Sequence, residues 1–100
     1  MYRNGHIHKY RGKTTVDKKH RHTYSGYTSE PIPTRHGHIH YYEGYTSVDD
    51  KHRHKYRGYT SVPIPVEGGH IHYMMGVTSY VDKHDHRYRN KTSKQIYERY

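Results

Sequence analysis

An internal repeat of 32 residues constrains this chain more than any other feature. The tetrapeptide GHIH occurs three times at that spacing, beginning at Gly5, Gly37 and Gly69. A triplet of the form HxH follows at the same spacing, beginning at His20, His52 and His84. Copies in one register predict structural units that pack on one another. We therefore expect a single domain over residues 1–100, built from repeats 5–36, 37–68 and 69–100.

Each repeat contains two copies of a nine-residue motif, HxHxYxGxT. The six copies occupy residues 6–14, 20–28, 38–46, 52–60, 70–78 and 84–92. Met74 replaces the tyrosine of one copy, and Asn90 replaces the glycine of another. A period of two over nine residues predicts a strand that carries all five motif residues on one face. The glycine predicts either a β-bulge or a tyrosine ring lying over it.

The segments between the motifs alternate in length and composition. Gaps of five residues contain Asp and Lys and predict hairpin turns. The longer gaps contain Pro-Ile-Pro, which ends at Pro33 and Pro65, and predict links without ladder pairing. The predicted fold class is therefore all-β, with three β-hairpin repeats closed into a pseudo-threefold small barrel or prism. Closure is favoured because it removes exposed strand edges; the alternative is an open six-stranded antiparallel sheet.

The apolar composition limits the core that this fold can have. The chain has 14 Tyr and 13 His but no Leu, Ala, Phe, Trp or Cys. Tyr, Val, Ile and Thr favour strands over helices. A small domain with so little aliphatic surface usually needs a disulfide, a metal or an oligomer for stability. Because cysteine is absent, a metal or an oligomer remains.

Twelve of the histidines occupy the motif pairs, and His36 alone lies outside them. Residues i and i+2 of a strand share a face, so the two imidazoles of a pair can bind one ion. Six pairs in fixed register exceed chance and predict binding of divalent transition metals. The candidate ligands are His6, His8, His20, His22, His38, His40, His52, His54, His70, His72, His84 and His86.

The number of ions depends on how the hairpins associate. With threefold closure, the HIH pairs meet at one end and the HRH or HDH pairs at the other, which gives two six-nitrogen octahedral sites suited to Fe(II), Ni(II) or Co(II). Alternatively, two pairs form a four-nitrogen site for zinc or copper, or sites are completed between chains. Zinc is the first expectation for the metal. A fully ligated ion has no open position, so we expect a structural, storage or sequestration role.

No catalytic constellation is evident, and we expect that the protein is not an enzyme. Asp17, Asp49 and Asp82 are interpreted as turn residues, with imidazole N–H acceptors as the alternative. The start of the chain lacks the apolar stretch of a secretion signal, and no segment approaches the ~20 apolar residues of a membrane span. A cytoplasmic protein with no membrane partner is therefore expected.

The tyrosines and the positive charge allow further functions. Tyr10, Tyr24, Tyr42, Tyr56 and Tyr88 occupy the motif and are predicted to form an amphipathic core. Lys and Arg at the intervening positions of the motif, on the other face of the strands, together with a net charge of +9, suit a nucleic acid or another polyanion. Self-assembly into an oligomer or filament with metal-shared interfaces is the other alternative.

The repeated HxH pairs, the Gly-x-Thr step, the Val-Asp before the next HxH and the Pro-Ile-Pro link together resemble the bacterial YmaF family of His-repeat proteins. The resemblance extends from Gly5 to about Thr92. It implies a His-repeat, metal-binding protein and carries over no catalytic residue.

Overall fold

The computed structural model of the chain describes residues 5–17 and 19–97 and is all-β, as predicted. It contains nine antiparallel strands in four small sheets. The strands are β1 (Lys9–Lys13), β2 (Thr23–Tyr27), β3 (Pro31–Thr34), β4 (Gly37–Tyr45), β5 (Lys55–Tyr59), β6 (Ile64–Val66), β7 (Gly69–Ile71), β8 (Tyr73–Val77) and β9 (Arg87–Lys91). Within the described ranges, no helix is long and apolar enough to cross a membrane.

The three predicted hairpins are confirmed. They are formed by β1 with β2, by the second half of β4 with β5, and by β8 with β9. The connecting turns are short: in the second hairpin Asp49 bridges to His52, and Asp50 and Lys51 between them have φ of 54° and 67°. Positive φ at both central residues is typical of the type I′ turn that fits the twist of a hairpin.

Each hairpin ladder has five residue pairs, fewer than the nine-residue motif predicted, and a β-bulge interrupts each ladder at its turn end. Thr46 pairs with His54 in line with the β4–β5 register, yet Asp49 pairs with His52. Ser47 and Val48 therefore oppose a single residue, and the same offset occurs in the other two hairpins. The bulge frees the backbone of Ser47 to bond a neighbouring hairpin.

The prediction that the Pro-Ile-Pro links lack ladder pairing is wrong. In the first link β3 pairs with the start of β4, and in the second β6 pairs with β7. After the last motif, Ile96 takes the place of Ile32 and Ile64 without flanking prolines; it pairs with Ile7, and the two residues exchange backbone hydrogen bonds of 2.9 and 2.7 Å. In an antiparallel ladder, hydrogen-bonded residue pairs alternate with pairs that exchange no hydrogen bond. The isoleucine of each link occupies a bonded position, so the prolines on either side of it lie at non-bonded positions and remove no hydrogen bond.

Each hairpin is hydrogen-bonded to the next, and the third returns to the first. On one side Ser29 N–H donates to Tyr41 O, Ser61 N–H to Tyr73 O, and Ser93 N–H to Lys9 O, at 2.7–2.9 Å. These contacts lie near the hairpin ends and do not extend into ladders. The described residues therefore form neither the predicted closed barrel nor the alternative six-stranded sheet, since neighbouring hairpins are joined by isolated bonds at their ends and not by a continuous ladder.

A layer of tyrosines fills the centre of the molecule, as predicted. The buried residues of this layer are Tyr10, Tyr24, Tyr42, Tyr56, Met74 and Tyr88. Hydroxyl pairs join Tyr10 to Tyr56 and Tyr42 to Tyr88, each at 2.9 Å. The motif histidines lie on both sides of this layer along the hairpins, because each motif places its histidines before its tyrosine.

The motif glycine is explained by the tyrosine opposite it rather than by a bulge. Gly44 pairs with Tyr56 and Gly58 with Tyr42 in an unbroken register. A Cβ on Gly44 would lie 2.6 Å from the Tyr56 hydroxyl oxygen, so no larger residue fits beneath the ring. The exception is Asn90, which faces Met74 instead of a tyrosine.

Candidate metal centres

The HIH pairs of all three repeats meet at one end of the tyrosine layer. We call this group the link-side cluster; it consists of His6, His8, His38, His40, His70 and His72. One ligand atom from each of the six lies within 4.8 Å of all the others. The Nε2 atom of His6 is 3.2 Å from that of His38 and 3.1 Å from that of His70.

The HRH and HDH pairs meet at the other end, beside the hairpin turns. This turn-side cluster consists of His20, His22, His52, His54, His84 and His86. Five of them offer ligand atoms within 4.8 Å of one another. The sixth, His54, packs its ring 4.8 Å from that of His22 and 4.8 Å from that of His86. The structure thus brings together the twelve histidines that the sequence singled out, while His36 lies exposed in the β3–β4 turn.

The second histidine of each motif, the inner histidine, is held in one orientation. Its Nδ1 lies 2.8–2.9 Å from a backbone carbonyl of the neighbouring hairpin. A carbonyl oxygen only accepts, so Nδ1 carries the proton and Nε2 presents a lone pair. The pairs are His8–Ser93, His22–Ser47, His40–Ser29, His54–Ser79, His72–Ser61 and His86–Thr15.

The motif threonine anchors the same histidine within its own hairpin. Thr60 Oγ1 accepts the backbone N–H of His40 at 3.1 Å and donates to the carbonyl of Ser61 at 2.9 Å. The other five motif threonines accept from their inner histidines in the same way, at 3.0–3.1 Å. Sequence reasoning gave this threonine no role beyond strand pattern.

A hydroxyl residue directly after each motif threonine joins neighbouring hairpins, and we call it the junction residue. Ser47 donates its N–H to Thr23 O at 2.7 Å, accepts the N–H of Thr23 on Oγ at 2.9 Å, and accepts Nδ1–H of His22 on its carbonyl. The signal was present in the sequence: the residue after the motif is Ser or Thr in all six copies. These are Thr15, Ser29, Ser47, Ser61, Ser79 and Ser93.

The Nε2 atoms of the inner histidines have no hydrogen-bond partner among the described residues. Those of all six inner histidines, together with those of His52 and His84, are buried and accept no hydrogen bond within the part of the chain that the structure describes. A buried polar atom without a partner costs about 1–3 kcal/mol. Convergent orphan lone pairs are the arrangement that a bound cation would satisfy.

Burial lowers the pKa of the link-side imidazoles and of two turn-side imidazoles, which favours the neutral form that ligates a metal. Burial, reinforced by the other histidines, lowers the pKa of His6 from 6.5 to about 4. Burial also lowers the pKa of His8 and His72 to about 4 and that of His40 to about 3. In the turn-side cluster, burial lowers the pKa of His22 and His54. Neutral imidazoles bind cations without first losing a proton.

The spacing of the link-side cluster fits an octahedral ion. At a metal–nitrogen distance of about 2.1 Å, adjacent octahedral ligands lie about 3.0 Å apart and opposite ligands about 4.2 Å apart. The Nε2 separations of 3.1 and 3.2 Å match the distance between adjacent octahedral ligands. The six ligand atoms lie within 4.8 Å of one another, which also allows the distance between opposite ligands. Six donors from one chain can therefore surround a single ion.

Carboxylates distinguish the turn-side cluster. Asp17 Oδ2 lies 3.1 Å from Nδ1 of His86, and Asp49 Oδ2 lies 3.5 Å from Nδ1 of His22. Both residues also pair with a histidine across their turns. Each is therefore a turn residue and also lies beside an imidazole Nδ1. Asp82 was grouped with them, but the repeat aligns it with Asp50, and its Oδ2 is 3.8 Å from Nδ1 of His52. The position equivalent to Asp17 and Asp49 in the third repeat is Val81.

A family model described as YmaF, spore germination protein GerY/YamF, matches residues 3–96 of the chain. No curated protein and no solved structure matches it significantly.

Proposed function

The chain belongs to the YmaF family, and we propose that it binds two divalent transition-metal ions, one in each histidine cluster. The observation that carries the proposal is the convergence of buried, partnerless Nε2 atoms whose rings are locked by Nδ1–H bonds to carbonyls. A histidine face that served only as a polar surface would be hydrated. These inner imidazoles are instead fully buried.

The donor set favours an octahedral ion over the zinc first expected. Tetrahedral zinc would use four of six imidazoles and leave two lone pairs buried without partners. Six neutral nitrogens suit Fe(II), Co(II) or Ni(II), each of which accepts octahedral coordination by imidazole. We therefore propose Fe(II), Co(II) or Ni(II) as the resident ion.

The proposed role of the metal is structural, with storage as the second use. An ion surrounded by six protein ligands has no position left for substrate, which supports the prediction that the protein is not an enzyme. Each ion would tie three hairpins into a pseudo-threefold prism, one cluster above and one below the tyrosine layer. In spore germination, which the family description names, this chain would then contribute a metal-stabilised fold.

Both clusters draw all their histidines from one chain, which supports a site that does not need a second copy. This argues against metal-shared interfaces between chains, although self-assembly through other surfaces stays a prediction.

Elemental analysis of untagged protein tests the proposal. We expect about two ions per chain and a first shell of six nitrogens by X-ray absorption. His40→Ala, in the link-side cluster, should reduce the count to about one. The matched control is His36→Ala, which removes an exposed histidine outside both clusters and should leave two. A metal content near zero, or equal loss in both variants, contradicts the proposal.

A further inference from the structure

The charges on the outer surface are distributed unequally among the three grooves between hairpins. Each groove lies between strands of neighbouring hairpins that are bonded to each other only near their ends: β1 and β9, β2 and β4, and β5 and β8. The 32-residue repeat makes the three grooves equivalent in position. Their side chains can therefore be compared position by position.

The β1–β9 groove is lined by six cations on alternate residues. Thr15 N–H donates to Arg87 O at 2.9 Å, and Ser93 N–H donates to Lys9 O at 2.8 Å, which holds the two walls together at both ends. The cations are Lys9, Arg11, Lys13, Arg87, Arg89 and Lys91, all exposed. Among the described residues, no carboxylate pairs with any of them.

The other grooves lack this charge at the equivalent positions. The β2–β4 groove carries one charged side chain, that of Glu43, and the β5–β8 groove carries Lys55 and Arg57. Duplication of a repeat would have placed similar charges in all three grooves. Like charges facing one another oppose folding, so the concentration in one groove is better explained by an anionic ligand than by stability.

Beside this groove, the outer face of β8 next to β9 offers apolar surface. One depression of about 550 Å³ is lined by Lys13, Arg87 and Arg89 together with Met75 and Val77. A second, of about 310 Å³, is lined by Lys9, Arg11 and Lys91. Met75 and Val77 are 62% and 53% exposed, although both are apolar. A ligand for this groove therefore combines a chain of anions with apolar groups at its side.

We propose that the β1–β9 groove binds a single-stranded nucleic acid. Alternate residues of a strand lie about 6.6 Å apart, so the cations form a linear stripe that can follow one phosphodiester backbone. The guanidinium forks of Arg11, Arg87 and Arg89 match phosphate oxygens. The bases lie over Met75 and Val77, as bases lie on apolar and aromatic surfaces in single-strand binders. This site is separate from both histidine clusters.

The test is fluorescence anisotropy of a labelled dT20 oligonucleotide with metal-loaded protein at 20–200 mM KCl. Six phosphate contacts predict that log affinity falls with log salt at a slope of about −4. The variant Arg11→Gln/Arg89→Gln should bind at least tenfold more weakly, with a slope of about −3. The matched control, Lys55→Gln/Arg57→Gln, removes the same charge from the β5–β8 groove and should bind like the unaltered protein.

Further arms identify the ligand. Met75→Ser should weaken binding of dT20 and leave binding of inorganic polyphosphate unchanged. Equal loss in the two double variants, a salt-independent affinity, or binding to anionic phospholipid vesicles but not to dT20 would overturn the proposal. So would equal binding of dT20 and polyphosphate by the unaltered protein. These outcomes test only the groove, whereas the metal count tests only the histidine clusters, so the two proposals can fail separately.

Discussion

Met74 and Asn90 face each other in the β8–β9 ladder, where the other hairpins pair a tyrosine with a glycine. The two departures from the motif therefore compensate for each other: methionine replaces the tyrosine where asparagine replaces the glycine opposite it. The shorter ring-free side chain of Met74 leaves room for Asn90, whose Nδ2 lies 3.5 Å from the Met74 sulfur. Tyr10 and Tyr42 each pair their hydroxyl with that of another tyrosine. Tyr24 has no such partner and donates its hydroxyl to Asn90 Oδ1 instead.

This pairing predicts strong coupling between the two positions. Met74→Tyr alone places a ring against the Asn90 side chain and should reduce the free energy of unfolding by about 1–3 kcal/mol. The double variant Met74→Tyr/Asn90→Gly recreates the arrangement of the other hairpins and should recover most of that loss. Urea unfolding of the single and double variants measures the coupling. Simple additivity of the two effects would contradict the compensation.

The aspartates beside the turn-side histidines predict a difference between the two clusters. Asp17→Asn and Asp49→Asn remove the negative charge next to Nδ1 of His86 and His22, and should weaken the turn-side site by about 10–100-fold. The inner histidines of both sites bond backbone carbonyls through Nδ1, but the ion pairs of the described residues place an aspartate beside that atom only in the turn-side site, so the link-side site is the internal control. Competition titration against a metallochromic chelator resolves the two affinities. A parallel loss at both sites would refute the assignment.

At the scale of secondary-structure elements, the hairpin turns carry the local strain. Asp50 and Lys51 of the second turn both have positive φ, and so do Asp82 and Lys83 of the third. Asp tolerates this region better than Lys, which has no side-chain bond to offer there. The turns persist because the paired strands and the histidine cluster hold both of their ends.

Relief of that strain should stabilise the protein. Lys51→Gly places a residue that adopts positive φ freely and should raise the free energy of unfolding by about 0.5–1 kcal/mol. Arg57→Gly, in the exposed face of β5, is the control and should lower it, because glycine in a strand loses entropy and packing. Thermal melts of the two variants compare the positions. Destabilisation by Lys51→Gly would show that the turn geometry is not strained.

At the scale of the whole molecule, the stability depends on imidazoles that burial keeps in the neutral form. The unfolded chain protonates histidine near pH 6.5, whereas burial holds the pKa of His6, His8 and His72 in the fold at about 4. Between these values the unfolded state binds more protons, so stability rises with pH. It is fully present above pH 6.5 and is lost as the pH falls toward 4.

We therefore expect the urea midpoint of metal-free protein to fall steadily from pH 7 to pH 4. Metal loading should raise the midpoint at pH 7, because the ion binds only the folded state. The same measurement after His36→Ala controls for an exposed histidine and should give the same profile. A flat profile in the metal-free protein would contradict burial of neutral imidazoles.

Much of this architecture follows from the sequence, because period-two motifs in a strict repeat fix which residues share a face. The histidine pairs, the tyrosine layer, the hairpins and their turns are all readable at that level. The hydroxyl residue after each motif was readable as well, since all six copies carry it. It was missed because its bonds reach a different hairpin, and no periodicity within one strand indicates such a partner.

Tertiary structure decided how the hairpins associate. The sequence left two six-histidine sites, four-histidine sites and sites shared between chains equally open, because strand pattern carries no information on which hairpins meet. The bulge at Ser47 and its equivalents diverts backbone bonds outward, and the Ile7–Ile96 pair returns the third repeat to the first. The sequence by itself therefore determined the inward face of every hairpin strand. Only packing in three dimensions determined that six strands present those faces to two common centres.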